Sequence, residues 1–271
     1  MKTDLIGQSI AYYSFIGSTN EVLKELAAQG APEGTLVIAD EQTAGRGRLG
    51  RKWLAPPGTS LLMSLLFRPD LAPDQAQRLT TICSLATADA IEGLTGLPAG
   101  LKWPNDICIR GRKAGGILTE SGTTGGRLDY VIVGMGLNVN LAVSALPELS
   151  GIATSLFQEL GREVSRLELL WRILEGIETR YNSLMRGDSP HEEWAARLIN
   201  LDRQVQAATP QGVLVGWAEG VDSDGALILC LPDGQRKRIL AGDVTLHCTV
   251  RHLSCTTSTG YSTVRGSASM P

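Results

Sequence analysis

Residues 45–58 read Gly45-Arg46-Gly47-Arg48-Leu49-Gly50-Arg51-Lys52-Trp53-Leu54-Ala55-Pro56-Pro57-Gly58. Three glycines in the first nine positions let the main chain approach a ligand closely. Four cations share those nine positions and repel one another unless an anion or solvent lies among them. Main-chain N–H groups with arginines make a cradle for phosphate or carboxylate, and Trp53 adds a flat face for a base or a plug over a site. By letters, Gly45-x-Gly47-x-x-Gly50 also matches the dinucleotide fingerprint. That fingerprint needs a helix to begin inside the loop and point its N-terminus at a pyrophosphate. The stretch Trp53–Gly58, with two prolines, is no helix, so the doubly wound nucleotide fold is excluded. A P-loop is excluded as well, because Gly50 is followed by Arg51-Lys52-Trp53 and not by Lys and a hydroxyl residue. On its own the loop fits an anion cradle and a solvated basic turn equally well.

Working outward, Ser18-Thr19-Asn20-Glu21 carries capping-box spacing and opens a helix that Gly30 stops. Leu36–Ala39 reads as a short strand and Ser60–Phe67 as a buried one. Pro73–Leu94 reads as a helix with Leu79, Ile82, Cys83, Ala86 and Ala90 on one side. Leu101–Arg110 is a strand interrupted by Pro104, which puts it at an edge or a bend. Ala114–Glu120 and Tyr130–Val133 follow, with turns at Gly111, Gly122 and Gly125-Gly126. Ser165, with Glu168 at capping-box spacing, starts a long amphipathic helix; Leu170, Trp171, Leu174, Ile177, Tyr181 and Leu184 form its core face, and Gly187 ends it. Ser189-Pro190 caps a helix to about Asn200, with Pro190 at the first helical position. From Gln204 the chain shows short strands divided by turn signals at residues 209–212, 222–225 and 232–234, the pattern of a small β-barrel. The expected fold is α+β: a mixed β-sheet flanked by helices over residues 1–200, then an SH3-like β-barrel over 203–247. Residues 248–271, rich in Ser, Thr and Gly, read as a disordered tail.

The chain has 271 residues and a formal net charge of −3, which argues against a nucleic-acid partner. Five cysteines, an odd number without Cys-x-x-Cys, argue against a disulfide framework or zinc site. Its three histidines, His191, His247 and His252, are scattered. No signal-peptide core and no apolar run of about 20 residues occurs, so a cytoplasmic protein without membrane contact is expected.

Three further segments carry chemistry. Lys102-Trp103-Pro104-Asn105-Asp106 sits at the strand bend. Arg112-Lys113-Ala114-Gly115-Gly116-Ile117-Leu118-Thr119-Glu120 follows, and Gly134-Met135-Gly136-Leu137-Asn138-Val139-Asn140 comes after it. Taken singly, Lys113 reads as a surface lysine, Asp106 as closing a turn with Asn105, Trp103 as packing, and Asn138 and Asn140 as turn residues. Together, in this order, and with Ser18-Thr19-Asn20 and Gln42-Thr43-Ala44 ahead of them, they resemble the biotin–protein ligase family over roughly residues 10–247.

The resemblance implies a class II aminoacyl-tRNA synthetase/biotin ligase-like catalytic fold. It implies ATP-dependent conversion of biotin to biotinyl-5′-AMP, then transfer of biotin to a lysine of a biotin carboxyl carrier domain of acetyl-CoA carboxylase type. By carry-over, Ser18, Thr19, Asn20 and Gln42 bind the biotin head group. Arg46, Gly47 and Arg48 bind the carboxylate and phosphate region, and Lys113 bridges the biotin carboxylate and the α-phosphate; Lys113 and Arg48 are the catalytic pair. Arg46, Arg48, Trp53, Asn105, Asp106 and Asn138 contact ATP or the adenylate, with Asp106 toward magnesium. The expected assembly is a monomer or homodimer without DNA contact, since the first helix begins too early to leave room for an N-terminal winged helix. Leu49 stands where some members carry a basic residue, which would soften ligand retention. Lipoate–protein ligase, sharing fold and chemistry, and a non-catalytic biotin or nucleotide sensor are the rival readings.

Overall fold

The computed structural model describes residues 2–210, 212–240 and 242–246; His247 and the 248–271 tail lie outside the described residues. Seven strands form the first sheet: β1 (Ile10–Tyr13), β2 (Leu36–Ala39), β3 (Ser60–Phe67), β4 (Ala99–Lys102), β5 (Asp106–Ile109), β6 (Arg112–Thr124) and β7 (Arg127–Asn138). Their order is β1-β2-β3-β7-β6-β5-β4; β1 pairs parallel with β2 and the remaining neighbours pair antiparallel, so the sheet is mixed as expected.

Strand β3 shows why the sheet has two different faces. All eight of its residues are buried, and side chains alternate between faces along a strand. Leu61, Met63, Leu65 and Phe67 join the main core with α2 (Gln77–Thr95) and α4 (Arg166–Met185). The alternate residues face the other way, where Leu66 meets Leu23 and Ala27 of α1 (Thr19–Ala28). Cross-strand register extends that second face: Ser64 lies opposite Gly134, Leu62 opposite Gly136, and Ser60 opposite Asn138. Gly116 sits beside Gly136 and Leu118 beside Gly134, and Asp106 beside Gly116. The glycine- and polar-rich rows of the motifs therefore share one face, turned away from α2 and α4.

Two short helices, α3 (Leu156–Leu160) and α5 (His191–Arg197), complete the helical set. A second sheet follows, of β8 (Arg203–Thr209), β9 (Gly212–Val221), β10 (Leu227–Cys230), β11 (Arg236–Ile239) and β12 (Asp243–Leu246). It is antiparallel in the order β11-β10-β9-β8-β12, consistent with the expected SH3-like unit, of which the turn signals indicate a small β-barrel. Buried Trp103 ties the two parts: its Nε1 donates to Gly225 O at 2.9 Å, and its backbone N donates to Asn200 Oδ1 at 2.9 Å.

The local expectations hold where one physical signal acts alone and slip where two compete. The cap on α4 forms, with Ser165 Oγ accepting from Glu168 N. Ser18 occupies the N-cap of α1 but makes no side-chain capping bond, and the Glu21 carboxylate that would complete the box pairs with Arg46. The helix expected from Pro73 begins at Gln77; residues 73–75 form a single tighter turn. Pro190 sits at the N-cap and not inside α5, which ends at Arg197 and not near Asn200. Trp171 is only partly buried, while Leu169 and Ile173 are buried on α4. Gly122 is no turn: β6 runs on through it to Thr124, and the hairpin turns at Gly125-Gly126. Pro104 lies between β4 and β5, with β4 the outer strand of the sheet, as an edge or bend requires. Among the described residues no helix is long and apolar enough to cross a membrane.

Candidate active site

The glycine-rich loop folds back on itself. Trp53 N donates to Gly45 O at 2.9 Å and Gly47 N to Arg51 O at 2.7 Å, and Arg46 bridges antiparallel to Lys52. The tip needs left-handed backbone at Leu49 (φ 55°) and Gly50 (φ 72°). Glycine adopts this readily, whereas leucine is strained there. No helix follows, which agrees with rejecting the dinucleotide fold. The hairpin leans over the glycine face of the sheet and brings its cations to the mouth of a cavity of about 370 Å³, within the range of small-molecule sites.

All twelve residues singled out from the sequence line this one cavity: Ser18, Thr19, Asn20, Gln42, Arg46, Gly47, Arg48, Trp53, Asn105, Asp106, Lys113 and Asn138. They divide into two chemically distinct ends.

At the inner end, Ser18, Thr19 and Asn20 are buried at the start of α1. Thr19 N donates to Gln42 Oε1 at 2.7 Å, and the Thr19 hydroxyl lies 3.1 Å from the same oxygen. Asn20 Nδ2 donates to Glu120 Oε2 at 2.7 Å. Ser64 Oγ sits 2.7 Å from Thr19 Oγ1 and 2.6 Å from Asn20 Oδ1. Space for these amides exists because Gly134 has no side chain: a Cβ there would lie 2.1 Å from Asn20 Oδ1. The result is a hydrogen-bonding recess whose lining side chains, Ser18, Thr19, Asn20 and Gln42, are neutral, with the Glu120 carboxylate behind Asn20 and outside the lining. Ser64 and Glu120 escaped the sequence reading. The signal was a pair of hydroxyls, Ser60 and Ser64, four residues apart on one face of a buried strand.

The outer end is ionic. Lys113 Nζ pairs with Asp106 Oδ1 at 2.5 Å and stands 5.7 Å from the Trp53 ring centre. That ring lies on bare backbone: a Cβ on Gly136 would come within 2.6 Å of it, and one on Gly116 within 3.4 Å. Arg48 reaches Gly242 O at 3.1 Å and Asp243 at 3.8 Å, and Arg51 also pairs with Asp243. Burial pulls the Arg48 guanidinium below its ordinary pKa, against the pull of Asp243 and Asp106; an anionic ligand would offset that desolvation by favouring the charged form. Asp243, from the second sheet, and Glu21 are partners the sequence did not reveal. Cys108, on β5 opposite Lys113 and outside the cavity lining, has its thiol pushed up to about 11 by burial, so it stays protonated.

Two polar atoms among the described residues of the cavity lack a partner: Trp53 Nε1 and Asn138 Oδ1 are buried with no hydrogen bond. Asn138 is held through its other amide atom, Nδ2, which donates to Thr154 O at 3.0 Å. Each unpaired buried group costs about 1–3 kcal/mol, so both favour a ligand that reaches them. No group of three or more His, Cys, Asp or Glu among the described residues is arranged to hold a metal alone. Asp106 and the unpaired Asn138 oxygen are hard donors that fit a phosphate-borne magnesium, which needs only one or two protein groups.

A model of the biotin/lipoate A/B protein ligase family matches residues 12–138, and one of the biotin protein ligase C-terminal domain matches residues 201–246. The chain is 40% identical over 249 residues to the bifunctional ligase/repressor BirA of Bacillus spizizenii, spanning 91% of this chain and 76% of that protein. It is 36% identical over 237 residues to a biotin–[acetyl-CoA-carboxylase] ligase of Mycobacterium tuberculosis, spanning 84% of this chain and 85% of the other. A biotin protein ligase from Aquifex aeolicus, solved in complex with biotin and ATP, superposes with a TM-score of 0.74 at 29% identity, over 89% of this chain and 99% of that one. By motif, fold and these likenesses, the chain belongs to the biotin/lipoate A/B protein ligase family, with its biotin protein ligases.

Proposed function

We propose that the cavity binds biotin and ATP end to end, forms biotinyl-5′-AMP, and passes the biotinyl group to one lysine of a biotin carboxyl carrier domain. The observation that carries this reading is the division of one cavity into a neutral hydrogen-bonding recess and a cationic mouth. Biotin has the same division, a polar ureido ring at one end and a carboxylate at the other.

In the first step a biotin carboxylate oxygen attacks the α-phosphorus of ATP, and the bond to the β-phosphate oxygen breaks to release pyrophosphate. Two anions must meet, so positioning and charge neutralisation carry the catalysis. Lys113 lies between the recess and the loop and bridges the carboxylate and the α-phosphate, with Arg48 and Arg46 alongside. Asp106 holds the lysine until substrate takes its place, and Asn105 with Gly47 shapes the phosphate path. Asp106 and Asn138 would hold magnesium carried by the triphosphate, whose charge would screen the phosphates. In the second step the acceptor amine attacks the acyl carbon and AMP leaves. Closure of the hairpin over the mixed anhydride keeps water out.

The recess also favours biotin over lipoate. The dithiolane of lipoate offers no donor or acceptor to Thr19, Asn20 and Gln42, and a site built to hydrogen-bond its ligand discriminates strongly against one that cannot.

Replacing Lys113 with alanine tests the assignment. Loss of one preorganised charge-stabilising group costs about 100- to 1000-fold in rate, so pyrophosphate release in the first turnover should fall by that factor with the circular dichroism spectrum unchanged. Near-normal release would remove Lys113 from the reaction.

A further inference from the structure

Glu159 lies outside the cavity lining, yet its carboxylate is 1% exposed and bonds to both sides of the chain that holds Lys113. On one side Arg112 Nη2 donates to Glu159 Oε1 at 2.6 Å, and Arg110 approaches Oε2 at 3.3 Å. On the other side the Thr154 hydroxyl donates to Oε1 at 2.5 Å. Between them runs a parallel bridge of Lys113 with Ala153. Lys113 N donates to Ile152 O at 3.1 Å, and Thr154 N donates to Lys113 O at 2.8 Å. The backbone of Lys113 is thus clamped by residues 152–154, and Glu159 ties that clamp to the residue just before the lysine.

The carboxylate is itself fixed. It sits on α3, whose N-cap Ser155 accepts from Gln158 N at 2.9 Å, and whose Phe157 N donates to Val139 O at 2.8 Å. Thr154 also reaches the cavity, since its carbonyl accepts from Asn138 Nδ2. One buried acid therefore couples the two residues, Lys113 and Asn138, that approach the phosphates from different strands. A structural role alone would be met by any pair of bonds on the far side of the helix; here both bonds converge on the lysine's own bridge.

The geometry points to Glu159 as the positioning residue for Lys113, acting through Thr154 and Arg112. This rests on the role given to Lys113 above. Small displacements of a charge-stabilising group cost rate far more than they cost ground-state binding, up to about a hundredfold for about 1 Å.

The test uses the full chain and three variants measured beside Lys113→Ala. Glu159→Gln keeps the shape and one acceptor oxygen but loses the charge paired with Arg112 and Arg110 and weakens the acceptor that Arg112 and Thr154 share. Thr154→Val removes only the hydroxyl, and Thr154→Ser restores it. Expected are a ten- to hundredfold lower single-turnover rate of biotin-dependent pyrophosphate release for Glu159→Gln and Thr154→Val, with the biotin Kd without ATP changed less than threefold, and recovery in Thr154→Ser. Should Glu159→Gln fail to fold, the two Thr154 variants carry the same decision. Normal rates in Glu159→Gln and Thr154→Val beside an inactive Lys113→Ala overturn the positioning role alone. Normal rates in all of them overturn the role of Lys113 on which it rests. A loss of rate that matches only the unfolded fraction also overturns it.

Discussion

The two ends of the cavity are built by opposite means. The inner recess comes from regular elements: the first turn of α1, β3 and β6 meet there, and the Thr19 and Ser64 hydroxyls, the Asn20 amide and the Gln42 amide oxygen are each bonded to a neighbour in the protein. The outer mouth comes from a hairpin loop and a strand of the second sheet, joined by ion pairs in which Arg46 and Arg51 are substantially exposed, at 45% and 65%, while Arg48 is mostly buried. A bonded, buried recess is preorganised and selects its ligand by what it leaves unpaired. Exposed ion pairs are weak and screened, and they change partners at little cost. Recognition therefore resides in the rigid end and charge chemistry in the adaptable one, with Lys113 at the junction.

Two glycines on β7 offer a direct way to break this contrast, because they share a face two residues apart. Alanine at Gly134 would push on the buried Asn20 amide, which is bonded to Ser64, Leu118 O and Glu120 and has nowhere to go. We expect a loss of about 1–3 kcal/mol in stability, the usual cost of overpacking, and biotin binding weakened more than tenfold by calorimetry. Alanine at Gly136 would push on the Trp53 ring, which the hairpin can lift away. Chemical denaturation of that variant should stay within about 1 kcal/mol of wild type, while protection of residues 45–53 from proteolysis by biotin with ATP is reduced. Equal destabilisation by the two substitutions would erase the distinction between a rigid and an adaptable end.

The smallest effect belongs to the outermost pair. Glu21→Gln releases Arg46 from a contact in which both side chains are nearly half exposed. Such a pair is worth about 0–1 kcal/mol, so the KM values for biotin and ATP should move less than about fivefold, and less still in high salt. A large change would mean that Glu21 belongs to the catalytic arrangement and not to its rim.

The same contrast explains what could be read in the sequence. Motifs with a single local cause were legible: the hairpin was separated from a dinucleotide loop by Pro56-Pro57, and the mostly apolar, fully buried β3 from a half-exposed strand. The site residues could be gathered because each lies in a motif of restricted composition. What stayed hidden depends on contacts distant along the chain. Glu21 has capping-box spacing, but an arginine 25 positions away takes its carboxylate. Asp243 and Arg51 meet across 192 positions. Strand β1 carries no turn signal and only alternating partial burial, and it gains its place by pairing with β2. Glu159 is one acid in a short helix, and only the Lys113–Ala153 bridge gives it meaning.

The central claim is that a polar recess and a cationic mouth together activate biotin. The most direct measurement is pyrophosphate release by the full chain with ATP and magnesium, run in parallel with biotin and with lipoate and without acceptor. The account predicts release of about one equivalent per enzyme with biotin and none above background with lipoate. Release driven by lipoate would contradict it, as would tight biotin binding with no pyrophosphate at all.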